Sequence, residues 1–151
     1  MMFAASDLVA VTAADLAAQN HIVTAIKAAA SGSATMVTTA LAIIAGSIAI
    51  IVSTSYLQPR GLMRKLYLLF IPGWVLIAAS MYQGDVIARR AIAAHFIDPR
   101  KQNAIATLHE IADRISPDYS CQRIYMEFGL LVFAVWLASF LLWWVFVKKG
   151  D

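Results

Sequence analysis

Residues 34–57 read ATMVTTALAIIAGSIAIIVSTSYL and carry no charged side chain. A helix needs about 20 mostly apolar residues to cross the hydrocarbon core, where its backbone N–H and C=O groups must be satisfied by its own hydrogen bonds. This stretch meets that requirement. Two others follow: 66–82, LYLLFIPGWVLIAASMY, which is at the short end, and 128–147, FGLLVFAVWLASFLLWWVFV, which ends in Trp143–Trp144 where an interfacial aromatic belt is expected. The expectation is an all-α integral membrane protein with three transmembrane helices.

Whole-chain composition agrees. Of 151 residues, 61% are hydrophobic and 14% charged, with a mean hydropathy of +0.72. A soluble domain is typically about 45–50% apolar and about 25% charged. Twelve Lys plus Arg against nine Asp plus Glu leave +3, spread along the chain. Nucleic-acid binding needs a concentrated basic stripe, so no nucleic-acid partner is expected. The lone Cys121 excludes an internal disulfide and a thiolate metal cage. No Gly-rich or Pro-rich linker divides the chain, which reads as one membrane domain.

The segments between the spans set an expected orientation. The loop 58–65 holds Arg60, Arg64 and Lys65 without an acid, and the tail 148–151 adds Lys148 and Lys149. Both read as cytoplasmic, because cations close to span ends resist translocation. The remaining cations lie on longer segments and are interleaved with acids. N-terminus out and C-terminus in the cytoplasm, in a bacterial inner membrane, is the expected topology, although Arg89 and Arg90 near the second span count against it. In an endoplasmic-reticulum protein, the same terminal lysines would resemble a dilysine retrieval tail.

Residues 1–33 lack the early Lys or Arg of a signal peptide and are interrupted by Asp7, Asp15, Gln19, Asn20 and His21. They read as a retained amphipathic helix capped by Ser6 and Asp7, with Val9, Leu16, Val23 and Ala30 on one face at seven-residue steps and Ile22 and Ile26 beside them. Gly32, between Ser31 and Ser33, is expected to stop it. The connection 83–127 also reads as helical. Its first part, 85–97, continues the second span. A second helix, 99–115, starts at Asp98–Pro99, with Ile105, Leu108, Ala112 and Ile115 on its apolar face, and ends at Ser116–Pro117–Asp118.

Three constellations stand out as candidate functional residues. Thr35, Thr39, Ala42, Gly46, Ala49 and Ser53 repeat at alternating four- and three-residue steps in the first span, as a helix-packing seam or a narrow uncharged pore lining. Pro72 and Gly73 interrupt the second span as a packing kink or hinge. Asp85, Arg89, Arg90, Arg123 and Glu127 sit at span ends, as interfacial anchors or as charges at the mouth of a channel; Arg123 and Glu127 are spaced to pair.

No carboxylate lies inside a span, which disfavours a proton- or sodium-coupled carrier. His21, His95 and His109 have no metal-ligand spacing, and no nucleophile or phosphate-loop motif is present. No enzymatic activity, catalytic residue, metal or cofactor is expected. The expected partners are the lipid bilayer and either further copies or other membrane subunits. Two functions follow: a homo-oligomeric channel or pore, and an accessory or assembly subunit of a larger membrane complex. The layout is similar to that of bacterial diacylglycerol kinases, but their acidic and Asn-containing run on a span has no counterpart here.

Overall fold

A computed structural model describes residues 13–55, 65, 67–98 and 103–146. Among them there is no strand. Three helices follow one another: α1 (Ala13–Ser55), α2 (Phe70–His95, led in by a 3-10 turn at Tyr67–Leu69) and α3 (Ala104–Phe146). All three are long and apolar enough to cross a membrane. At 1.5 Å per residue, the 43 residues of α1 and of α3 each extend about 65 Å, twice a hydrocarbon core of about 30 Å. Each therefore has room for a span and a second, extramembrane half.

The separate N-terminal helix gives way to continuity. Residues 13–33 belong to the same helix as the first span, and Gly32 does not stop it. An interior glycine costs roughly 1 kcal/mol relative to alanine, which flanking alanines tolerate. Gly32 also has a packing reason: a Cβ there would lie 2.8 Å from the Tyr119 hydroxyl oxygen of α3. Residues 1–12, with the expected cap at Ser6 and Asp7, lie outside the described residues.

Pro117 likewise does not end a helix, since α3 runs through it. Proline removes the N–H that would bond the carbonyl of Asp113. One residue on, Arg90 of α2 donates to the carbonyl of Arg114 at 2.7 Å and ties this turn of α3 to its neighbour. Residues 85–95 continue the second span as expected. α2 closes at Phe96, whose N–H reaches the carbonyl of Ala93 while the N–H of Ile97 reaches that of Ala94. α3 begins at Ala104, one residue after Asn103, whose carbonyl accepts from the N–H and the hydroxyl of Thr107. Pro99 lies outside the described residues.

Buried positions repeat in sevens on all three helices. They are Gln19, Ile26, Ser33, Ala40 and Ser47 on α1, and Leu108, Ile115, Gln122, Gly129 and Trp136 on α3. On α2, Phe70, Gly73, Ile77, Ser80, Gly84 and Ile87 alternate steps of three and four. A sustained 3.5-residue repeat keeps one seam facing the neighbours in a left-handed bundle. Among the described residues the expected face of residues 1–33 is displaced in phase, although Ile26, expected beside it, is buried. Leu16 is exposed, Val23 and Ala30 are half-buried, and the stripe three residues on is the buried one. That stripe contains Gln19 and Ser33, so hydrophobicity alone favours its neighbour.

α1 and α3 run parallel, with α2 antiparallel to both and packed most extensively on α3. The core is layered. Ile26, Ile87, Ala94, Leu108 and Ile115 form the outer cluster; Ala40, Ile77 and Met126 form one deeper in the spans. Beyond that, Phe70 and Trp136 meet edge to face at 4.6 Å and draw in Tyr67, Phe133 and Phe140. Gly73 and Gly129 allow α2 and α3 to close. A Cβ on the first would stand 2.9 Å from the Phe133 ring, and one on the second 2.9 Å from Ile77.

Candidate functional site

Between the outer and deeper clusters lies a layer of buried polar groups drawn from all three helices. Gln122 is fully buried, and its Nε2 donates to the carbonyl of Ser33 on α1 at 3.3 Å. The hydroxyl of Ser80 on α2 donates to the carbonyl of Gln122 at 3.0 Å. Gly84 completes the layer: a Cβ there would come within 2.6 Å of Val37, 2.8 Å of the Gln122 amide nitrogen and 3.2 Å of the Ser33 hydroxyl. Side chains of α1 and α3 fill the space that a side chain at position 84 would need.

This node is chemically quiet but costly to assemble. The Ser33 hydroxyl and Gln122 Oε1 find no hydrogen-bond partner. An unmatched buried polar group costs about 1–3 kcal/mol, whereas a satisfied hydrogen bond returns about 1 kcal/mol net. The node therefore contributes specificity of alignment more than net stability: sliding α3 by a turn would separate Gln122 from both Ser33 and Ser80.

Deeper in the spans, Trp74 Nε1 donates to the Ser47 hydroxyl at 2.9 Å, and that hydroxyl donates to the Ile44 carbonyl at 2.7 Å. Ser47→Ala leaves the indole N–H without its acceptor. A loss of about 1 kcal/mol is expected in the unfolding free energy of the detergent-solubilised protein. An unchanged unfolding curve would show that Trp74 does not rely on Ser47.

The six small residues of the first span all lie on the surface. Thr35, Thr39, Ala42, Gly46, Ala49 and Ser53 are exposed, and nothing lies within 4 Å of a Cβ built on Gly46. Their hydroxyls turn back onto their own helix: Thr35 donates to Ser31 at 3.1 Å, Thr39 to Thr35 at 2.9 Å and Ser53 to Ile50 at 3.1 Å, always at the carbonyl. Within the protomer, α1 is packed instead through Ser33, Ala40 and Ser47. Beside Gly46, an apolar groove between α1 and α3 is floored by Phe70, Phe133 and Trp136.

Pro72 stands in the first turn of α2, where N–H groups have no partner four residues back in any helix. Gly73 follows it as the close-contact position against Phe133. The span-end charges divide. Asp85 pairs with Arg89 at 2.5 Å and Arg123 with Glu127 at 2.7 Å, each within one helix and largely exposed. Arg90 instead crosses from α2 to the Asp118 carboxylate of α3. His21, His95 and His109 are exposed, as is the thiol of Cys121.

No protein-family model, curated protein or solved structure matches this chain.

Ser33, Ser80, Gly84, Gln122 and Asp118 were not singled out by sequence reasoning. A signal for two of them was available: Ser80 and Gly84 continue the three-and-four alternation that starts at Phe70 and Gly73. Gln122 and Asp118 had no comparable mark, since both sit among other polar residues.

Proposed function

We propose that this chain is a non-enzymatic integral membrane protein that works as a packing subunit of a larger membrane assembly, offering the outward face of α1 to its neighbour. The observation that carries this reading is the exposure of Thr35, Thr39, Ala42, Gly46, Ala49 and Ser53 on one uncharged helix face, with the hydroxyls of Thr35, Thr39 and Ser53 bonded to their own helix. In lipid, no hydrophobic effect drives helices together, and close approach of small residues supplies the contact. A second reading is a homo-oligomeric channel or pore with the same face as its lining. It draws support from the exposed hydroxyl-bearing residues Thr35, Thr39 and Ser53, spaced along the length of the span. In both readings the basic end, with Arg60, Arg64, Lys65, Lys148 and Lys149, faces the cytoplasm of a bacterial cell, and the N-terminal half of α1 stands outside it.

Native mass spectrometry of the complex, extracted gently from its own membrane, tests the proposal. Co-purification with different subunits at fixed stoichiometry is the expected result, and Gly46→Leu is expected to dissolve that complex. The protomer should keep its stability to within about 0.5 kcal/mol, because Gly46 is exposed and the first added carbon meets nothing within 4 Å. A discrete homo-oligomer that conducts ions in liposomes, with selectivity altered by Thr39→Asp, would establish the channel instead. A complex indifferent to Gly46→Leu would remove this face from either role.

A further inference from the structure

Pro117 divides α3 into an outer arm, 104–116, and the long segment that enters the membrane. By removing an N–H it leaves the carbonyl of Asp113 without its usual helical partner, and its ring crowds the preceding turn. Such a site is where a long helix bends most easily. The α2 side of this point is held tightly. The Arg90 guanidinium donates to the carbonyl of Arg114 at 2.7 Å and pairs with the carboxylate of Asp118, so one side chain grips α3 on both sides of the proline. Arg90 and Asp118 are 32% and 20% exposed, whereas the pairs Asp85–Arg89, Glu110–Arg114 and Arg123–Glu127 are more exposed and bind only within their own helices.

On the α1 side Ile26 and Ile115 pack within the core, and beside them an open surface groove between α1 and α3 is lined by Ala25, Ala29, Ala112, Ser116, Tyr119 and Ser120.

We propose that Arg90 is a latch on a hinge in α3: with the latch closed the outer arm is straight and held against α2, and with it open the arm rocks about Pro117 towards or away from α1, closing or widening that groove. The arm is about 20 Å long, so a bend of about 20° at the proline moves its tip by about 7 Å. This device is independent of which partner meets the membrane face of α1.

Distance measurements between spin labels at Ala18 and Ala106, both exposed, test it in the full-length protein with Cys121→Ser. The expected wild-type result is one narrow distribution. Asp118→Asn should broaden it or shift it by up to about 7 Å, the arm movement above. Arg90→Met, which removes both contacts at similar side-chain length, should broaden it likewise and serves if Asp118→Asn fails to fold. The exchanged pair Arg90→Asp with Asp118→Arg should recover the narrow distribution. So should Pro117→Ala added to Asp118→Asn, because an uninterrupted helix has no hinge to release. An unchanged distribution in Asp118→Asn and Arg90→Met would overturn the latch. Broadening that persists after Pro117→Ala would overturn the hinge.

Discussion

Replacing Gly84 with leucine is expected to unfold the bundle at its centre, with a loss of about 3 kcal/mol or more in a denaturant titration of the detergent-solubilised protein. The first added atom alone would stand 2.6 Å from Val37 and 2.8 Å from the Gln122 amide. Neither neighbour yields easily. Val37 is β-branched and stiff at χ1, and Gln122 is fully buried and tied to Ser33. Three further carbons have no space that is not already filled. Gly84→Ala sets the lower bound: its better helix propensity returns about 1 kcal/mol against an overpacking cost of about 1–3 kcal/mol, for a net loss of about 1 kcal/mol. Gly46→Leu on the outward face is the matched control. Equal tolerance at both glycines would mean that the helices do not meet at the polar node.

Trp136→Ala is expected to cost about 3 kcal/mol by the same measurement. The indole is 2% exposed and touches the rings of Tyr67, Phe70 and Phe140, so truncation leaves a void that joins the α1–α3 groove. The loss is mainly of dispersion contacts, because lipid is as apolar as the protein interior. The unmatched indole N–H disappears with the ring and offsets part of it. Trp136→Phe separates the two contributions: it keeps an aromatic ring in place, removes the N–H, and should remain within about 1 kcal/mol of the wild type. If alanine is tolerated as well as phenylalanine, the aromatic cluster does not clamp α2 to α3.

Much of the fold was legible because it depends on local quantities. Hydropathy over one span's length is such a quantity, and it located all three helices. The apolar face of Leu108 and Ile115 and the pairing of Arg123 with Glu127 were equally local, each lying within one or two helical turns. The breaks expected at Gly32 and Pro117 were local too, but their outcome was not. Each signal is a penalty counted on one helix alone, and each position lies against a side chain of another: Tyr119 against Gly32, Arg90 beside Pro117.

The candidate site was less legible for a related reason. α1 is rich in Ala, Ser, Thr and Gly on every side, so small residues alone mark several faces as suited to close packing. The stripe of Thr35, Thr39, Ala42, Gly46, Ala49 and Ser53 is as regular as that of Ser33, Ala40 and Ser47, yet only the second meets α2 and α3.

The amino-acid sequence by itself determined that the chain is helical, that it has three segments able to span a bilayer, and that charge is kept out of those segments. Backbone hydrogen bonding and the transfer of side chains into hydrocarbon act residue by residue along one helix. Only the tertiary structure decided which face of α1 is buried, that Gln122 reaches Ser33 across 89 residues of chain, and that Arg90 grips Asp118 instead of an acid on its own helix. Those outcomes depend on the register between helices. Register is set where backbones approach most closely, at Gly73, Gly84 and Gly129, and no single helix carries that information.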